Sequence, residues 1–308
     1  MTALYCNRAG ISRRSSIGAL IGACSPSGTV AGSEPPIRLA VSESLLPEIN
    51  VSDAKAAMLV WIQRIGKELG LHVEYGSQGV VKGAEIYERL RSQSVDAVAI
   101  NAIEYRHMAS MLDRIAVVGD IEGGAYRYQV LVKRGSGIRR LVDLRGRSLT
   151  QLVSPAACLG PAWISASLAA EKAGLSREFF SRVDPQQKPA KVVLPVFFGH
   201  ADACLTTQRI FRTMCDLNPQ LAAQLEPVAT SPDLVSTCYV FRKNYRSPYR
   251  DRMIAALSEL KNSPSGQQVM MLFQFDELKV RDVSCMDESI RLLDAAERIE
   301  GRDRRIPG

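Results

Sequence analysis

The sequence predicts an α/β fold built on a largely parallel sheet, and three observations carry that prediction. Short, continuously apolar runs such as "VDAVAIN" at residues 95–101 read as strands covered on both faces. Segments with apolar residues at helical spacing, such as Ala56, Leu59, Val60, Ile62 and Ile65, lie between those runs. The two kinds alternate along the chain, the pattern of strands joined by helical crossovers.

"IRLAV" at 37–41 is the first strand, entered from Pro35 and Pro36 and left through Ser42, Glu43 and Ser44. Ser52 is placed to cap the next helix, and Gly70 to stop it. "HVEYG" is a second strand and 82–93 a second amphipathic helix, with Ala84, Ile86, Tyr87 and Leu90 on its apolar side. The strand at 95–101 ends on Asn101, before a helix over 103–112. "IAVVGDI" and "YRYQVLVKR" are further strands. A turn-rich connector at 135–143 opens a second unit. Its strand at 148–153 runs through "SPAAC" into a helix over 161–173, ended by Gly174. "KVVLPVFF" reads as helix or strand. "ADACLT" is a short buried strand, 207–215 a helix, 225–230 a strand, and "TCYVFRKN" a strand returning to the first unit. Helices over 247–262, 263–273 and 286–299 follow, then a polar tail. No short repeat period is present.

The chain has 308 residues, 46% of them hydrophobic, enough for one large or two ordinary domains. Its formal charge is +7, but the 39 Lys and Arg are scattered, and both Trp and most Tyr lie in apolar runs. That pattern argues against nucleic-acid binding. The first 35 residues read as an export signal and flexible tether. Arg8, Arg13 and Arg14 form a positive start, "IGALIGA" an apolar segment, and 25–35 a small-residue linker. Ile21-Gly22-Ala23-Cys24 resembles a bacterial lipoprotein cleavage box, which makes Cys24 the candidate lipidation site; a disordered extension is the alternative. The seven cysteines are an odd number without C-x-x-C, and His72, His107 and His200 are far apart, so no metal site is expected. No cofactor or catalytic motif is found: Gly-x-Ser-x-Gly, the P-loop, Gly-x-Gly-x-x-Gly after a strand and His-Glu-x-x-His are all missing.

Strand ends therefore supply the candidate site. In open α/β sheets ligands sit beyond the carboxyl ends of the strands. A helix starting there points unpaired N–H groups at the ligand. The small residues Ala156, Ala157 and Cys158 let an anion approach the backbone from Ala156 through Leu159, and Pro161 sits where a missing N–H costs little. An ordinary loop with small residues for packing is the alternative. Ser42 and Ser44 after the first strand, Asn101 and Tyr105 after the third, and Tyr126 with Tyr128 before the crossover complete the set. Trp163 is expected to pack within its own unit.

"VSESLLPEI", "VDAVAINAIEY", "VLVKRGSGIRRLVDLRGRSLT", "VSPAACLGPAWIS", "HADACLT" and "SPDLV" follow one another in an order that resembles the phosphonate/phosphite/phosphate-binding proteins of ABC importers. The resemblance covers roughly residues 37–299. It implies the two-lobed type II periplasmic-binding-protein fold, with the ligand cleft between the lobes. Lobe 1 is then 36–134 plus 236–300, lobe 2 is 135–235, and 301–308 is a polar tail. The resemblance places an oxyanion at the second-lobe helix start, on 154–158, where only Ser154 keeps a hydroxyl. A carboxylate or sulfonate fits there as well as a phosphonate. Asp202 resembles the family's acidic residue near the cleft.

The implied function is an extracytoplasmic solute-binding protein, not an enzyme. It delivers a small-molecule ligand to an ABC permease, acts as a monomer, and touches the membrane only through a lipid anchor. A binding protein reporting to a membrane sensor kinase is a related reading. An enzyme using Cys158 as nucleophile is a different one, and a transcriptional regulator is disfavoured because the region before residue 37 is too short and too Gly/Ser-rich for a helix-turn-helix.

Overall fold

The computed structural model describes residues 35–46, 51–68, 70, 73–74, 79–120, 126–273 and 275–301. The expected export segment, Cys24 and most of the tether lie outside them, as do residues 302–308.

Two mixed sheets organise the chain from Pro36 onward. The first contains β1 (Ile37–Ser42), β2 (Val73–Glu74), β3 (Val80–Val81), β4 (Ala97–Asn101), β5 (Leu112–Asp120), β11 (Thr237–Arg242) and β12 (Glu277–Asp282). Its order is β12-β5-β11-β4-β1-β2, with β3 beside β1. The second contains β6 (Tyr128–Lys133), β7 (Ser148–Leu152), β8 (Arg182–Gln186), β9 (Ala203–Thr207) and β10 (Leu225–Thr230), in the order β10-β6-β9-β7-β8. β1 pairs parallel to β2, β3 and β4, and β7 parallel to β8 and β9. β11 pairs antiparallel to β4 and β5, β12 to β5, and β6 to β9 and β10. The sheets are thus less parallel than expected. Parallel pairs arise where helices make crossovers, antiparallel ones where the chain passes between sheets and returns. β6, expected in the first unit, belongs to the second sheet, so the chain changes sheet before Tyr128 rather than after residue 134.

The helices are α1 (Val51–Glu68), α2 (Gly83–Arg91), α3 (Ala102–Met108), α4 (Gly160–Ala170), α5 (Ser176–Phe179), α6 (Pro189–Phe197), α7 (Gln208–Leu217), α8 (Pro219–Gln224), α9 (Pro248–Ser258), α10 (Pro264–Phe273) and α11 (Asp287–Glu300). Their ends follow local chemistry. Pro189, Pro248 and Pro264 open their helices, where no N–H is needed. The Thr207 hydroxyl accepts from the Ile210 amide at the start of α7. Gly301, at φ 62°, closes α11 in the left-handed region.

Alternation along the strands divides the core. Ala40, Val98, Ile100, Val118 and Val240 point to one face of the first sheet and join α2, α3 and α11 in a large cluster that continues into the second sheet. The opposite face carries two smaller clusters, one around Ile37, Ala97, Phe241 and Met253, the other around Val41, Leu45 and Met58. Members of both line a cavity of about 170 Å³.

Candidate functional site

β1 and β4 run parallel, so Ser42 and Asn101 finish side by side at their carboxyl ends. Each starts a helical turn. The Ser42 hydroxyl accepts from the Ser44 amide at 3.2 Å, and the Asn101 side chain accepts from the Glu104 amide at 2.9 Å. The Glu104 carboxylate closes the arrangement. It accepts from the Ser42 hydroxyl at 2.5 Å, the Ser44 hydroxyl at 3.1 Å and the Asn101 backbone amide at 3.1 Å. Asn101 Nδ2 donates to Ser44 Oγ at 2.9 Å.

Glu104 is only 2% exposed. Burial pushes its carboxyl above the usual range, although the three donors oppose the shift. Gly83 makes room for it, because a Cβ at that position would lie 2.7 Å from Glu104 Oε1. Glu104 was not among the sequence-derived candidates. The signal for it was the capping-box spacing from Asn101 to Glu104 directly after a strand.

Two crossing segments join the sheets, paired at Tyr126 and Leu234 through N–H···O bonds of 2.9 and 3.2 Å. The buried Ser236 sits at this junction. Its carbonyl accepts from the Ala102 amide at 2.7 Å, at the start of α3, and from the Cys158 thiol at 3.7 Å. Its hydroxyl donates to the Ala156 carbonyl at 3.3 Å, and the Tyr128 hydroxyl donates to the same carbonyl at 2.9 Å. One residue therefore ties the helix after β4 to the loop after β7. Arg209 of α7 meets Asp276, just before β12, at 2.6 Å and adds a second tie between the sheets.

The loop after β7 differs from the open row of amides expected. Pro155–Ala157 is a 3-10 turn. The Ala157 amide donates to Ser154 O at 2.9 Å and the Cys158 amide to Pro155 O at 3.4 Å. Ala156, Ala157 and Leu159 are buried. The turn occupies two of the four amides expected to face a ligand, those of Ala157 and Cys158. The Ser154 hydroxyl remains: it is buried and has no hydrogen-bond partner among the described residues. Burial pushes the Cys158 thiol up to about 12, with the Glu104 charge adding to it, so at neutral pH it is a protonated donor.

The structure thus brings Ser42, Ser44, Asn101, Ala156 and Cys158 around Glu104 and Ser236, with Tyr126 on the adjoining crossover. Tyr105 is buried in the large cluster, its hydroxyl pushed up to about 12 by burial. Asp202 lies elsewhere. It stands at the amino ends of β7 and β9, the opposite end of the second sheet from Ser154. There it accepts from the Ser148 amide at 2.9 Å and hydroxyl at 2.7 Å and from Arg147 at 3.3 Å. Burial opposes its charge, but these donors outweigh it and hold the carboxyl below its usual range. Its spacing in "HADACLT" is that of a strand-start anchor.

The sequence matches the family model described as ABC transporter, phosphonate, periplasmic substrate-binding protein, over residues 44–284. The chain belongs to this family of periplasmic substrate-binding proteins. No curated protein aligns with it significantly. Solved structures of the same fold include XAC2383 from Xanthomonas citri bound to chloride (13% identity, TM-score 0.61, covering 86% of this chain and 99% of that one). They also include a binding-protein component of an ABC phosphonate transporter from Pseudomonas aeruginosa (13%, TM-score 0.56, 89% and 90%). A third is PhnD1 from Prochlorococcus marinus in complex with methylphosphonate (15%, TM-score 0.57, 87% and 99%). The two-lobed type II fold is therefore that of this substrate-binding protein. Its family is periplasmic, with a small-molecule ligand and an ABC permease as partners. Among the described residues, no helix is long and apolar enough to cross a membrane.

Proposed function

We propose that this substrate-binding protein holds a small solute with a singly charged or neutral polar head where β1, β4 and β7 end, and delivers it to its permease. The contacts are Ser44, Asn101, Ser154, Cys158 and Tyr126, with Ser42 acting through Glu104. The observation that carries this reading is the unpartnered Ser154 hydroxyl, buried at the end of β7. A buried hydroxyl without a partner costs stability, and a ligand supplying the missing bond recovers it. The Glu104 carboxylate decides the charge. It already occupies the two serine hydroxyls nearest it, so a doubly charged head beside it meets a buried like charge. A phosphonate monoanion, a sulfonate or a carboxylate fits that field. The family and the methylphosphonate-bound relative favour the first.

The protonated thiol of Cys158 disfavours its use as a nucleophile, and binding needs no covalent step. Lobe 1 reads as the first sheet with its helices and lobe 2 as the second, the lobes hinging on the segments around Tyr126 and Leu234. We place the lipid anchor at Cys24; a C24A variant released from membranes supports it, and one retained there opposes it.

The test is a thermal-shift panel on the mature protein with alkylphosphonates, phosphite, sulfonates and carboxylates, preceded by native mass spectrometry for a copurified ligand. A raised melting point for monoanions, scaling as ln(1 + [L]/Kd), is expected. A panel without any shift, together with a ligand-free native mass, sinks the proposal.

A further inference from the structure

Granted the solute site proposed above, on which this step rests, we infer that its cation is Arg209, which takes the head of an anionic solute in exchange for the Asp276 carboxylate. Local geometry carries Arg209 there. β9, the middle strand of the second sheet, ends on Thr207, and α7 starts at once. The Thr207 hydroxyl accepts from the Ile210 amide, and the Gln208 amide donates to the Arg127 carbonyl at 2.8 Å. The first turn of α7 therefore stands against the crossing segment. Tyr128 is in register with Thr207, and the same antiparallel count sets Tyr126 opposite Arg209. On the other side of β9, the parallel register with β7 sets Ser154 beside Gln208. Arg209 thus leaves the chain between two of the candidate contacts. Burial pushes the Tyr126 hydroxyl up; Arg209 opposes that shift while Cys158 and Asp276 add to it, so all three lie within electrostatic reach of that hydroxyl.

Asp276 comes from the other sheet. It directly precedes β12, whose first residue, Glu277, pairs with Asp120 at the carboxyl end of β5. β5 runs the same way as β4, since both are antiparallel to β11, so Asp276 stands at the end of the first sheet where Asn101 finishes. The 2.6 Å contact between Arg209 Nη1 and Asp276 Oδ2 therefore spans the two sheets at their ligand ends. Charge accounts for the exchange. An anion brought beside Glu104 needs a compensating cation, and a guanidinium offers paired N–H donors to a carboxylate, a sulfonate or a phosphonate alike. The Asp276 side chain is 45% exposed and that of Arg209 24%. An ion pair this open to water is weak, and the released carboxylate rehydrates at little cost. A solute held by further bonds at the strand ends outcompetes it.

Calorimetry on the purified full chain tests this, with methylphosphonate, methanesulfonate and acetate as anions and methanesulfonamide as the neutral probe. Arg209→Gln should weaken the tightest-binding anion at least about tenfold. Asp276→Asn should tighten it about threefold, because the competing carboxylate is gone. A bridge that only holds the sheets together predicts otherwise: losing either partner then weakens binding or leaves it alone. Equal anion affinity in wild type and Arg209→Gln, or unchanged or weaker binding by Asp276→Asn, overturns the exchange and leaves the solute site standing. A wild type that binds methanesulfonamide alone does the same, whereas one that binds none of the four overturns both. Should Arg209→Gln not fold, Asp276→Asn decides: tighter binding supports the exchange, and any other result overturns it.

Discussion

The Glu104 carboxylate accepts the Ser42 hydroxyl at 2.5 Å, across 62 residues of sequence, at the end of two parallel strands. Ser42 and Ser44, candidate ligand contacts, therefore already serve a carboxylate of the chain itself. The charge state of Glu104 bears on stability and, on the proposed reading, on what binds beside it.

Glu104→Gln tests the stability half. The raised carboxyl favours the protonated form in the folded state. Its contribution is fully present below the unfolded value of about 4.3 and is lost as pH rises through the folded value. Wild type minus variant stability, from urea melts, should therefore fall between pH 4 and pH 8. A difference that is flat across that range contradicts the assigned environment.

Ser154→Ala should separate stability from binding. Removing a buried hydroxyl without a partner is expected to leave stability unchanged or raise it by up to about 1–2 kcal/mol. The affinity for any monoanion found in the panel should fall about tenfold. A variant that is less stable yet binds normally shows that the hydroxyl serves the fold.

Asp202→Asn should do the reverse. Losing a charged acceptor of the Ser148 amide and hydroxyl costs about 1–2 kcal/mol and removes stability that disappears as pH falls through the lowered folded value. Solute affinity should stay within twofold of wild type, because Asp202 stands at the far end of β7 and β9. A tenfold loss of affinity on calorimetry would return Asp202 to the site.

Cys158 should be slow toward thiol reagents. With its thiol pushed up to about 12, the thiolate fraction at pH 8 is about 1,000-fold below that of an ordinary cysteine. Tryptic mapping after brief iodoacetamide treatment of the native protein should leave Cys158 unmodified. Rapid labelling at that position reopens the nucleophile reading.

The order of strands and helices was readable from apolar runs and helical spacing, because buried central strands such as β4 and capped helices such as α7 leave strong local marks. β8 and β12 were not readable. Arg182–Gln186 and Glu277–Asp282 are charged edge strands, one of them containing Pro185, and edges resist aggregation by dropping the alternation that betrays a strand. The sheet to which β6 belongs depends on its partners β9 and β10, many residues later, and apolarity alone does not encode partners. At the site, Ser42, Ser44 and Asn101 followed from strand ends. Glu104 needed the capping-box pattern, and Ser236 carries no signal as a lone serine among strand residues. Which of the amides from Ala156 through Leu159 are tied up in a turn was not readable, because sequence shows small residues but not the turn into which they fold.

The last helix has a mechanical consequence. The Ser289 hydroxyl, near the start of α11, bonds the Val235 backbone beside the crossing segment, and Glu300, at its end, accepts from Ser165 and Ser176 of the second sheet's helices, each at 2.7 Å. A helix of fourteen residues is thus tied at one end to the crossing segment and at the other to helices of the second sheet. On the proposed two-lobe reading, separating the sheets would break either the Glu300 bonds to Ser165 and Ser176 or the Ser289 bonds to Val235, so a fluorescent pair on α4 and α11 would report which of them yields.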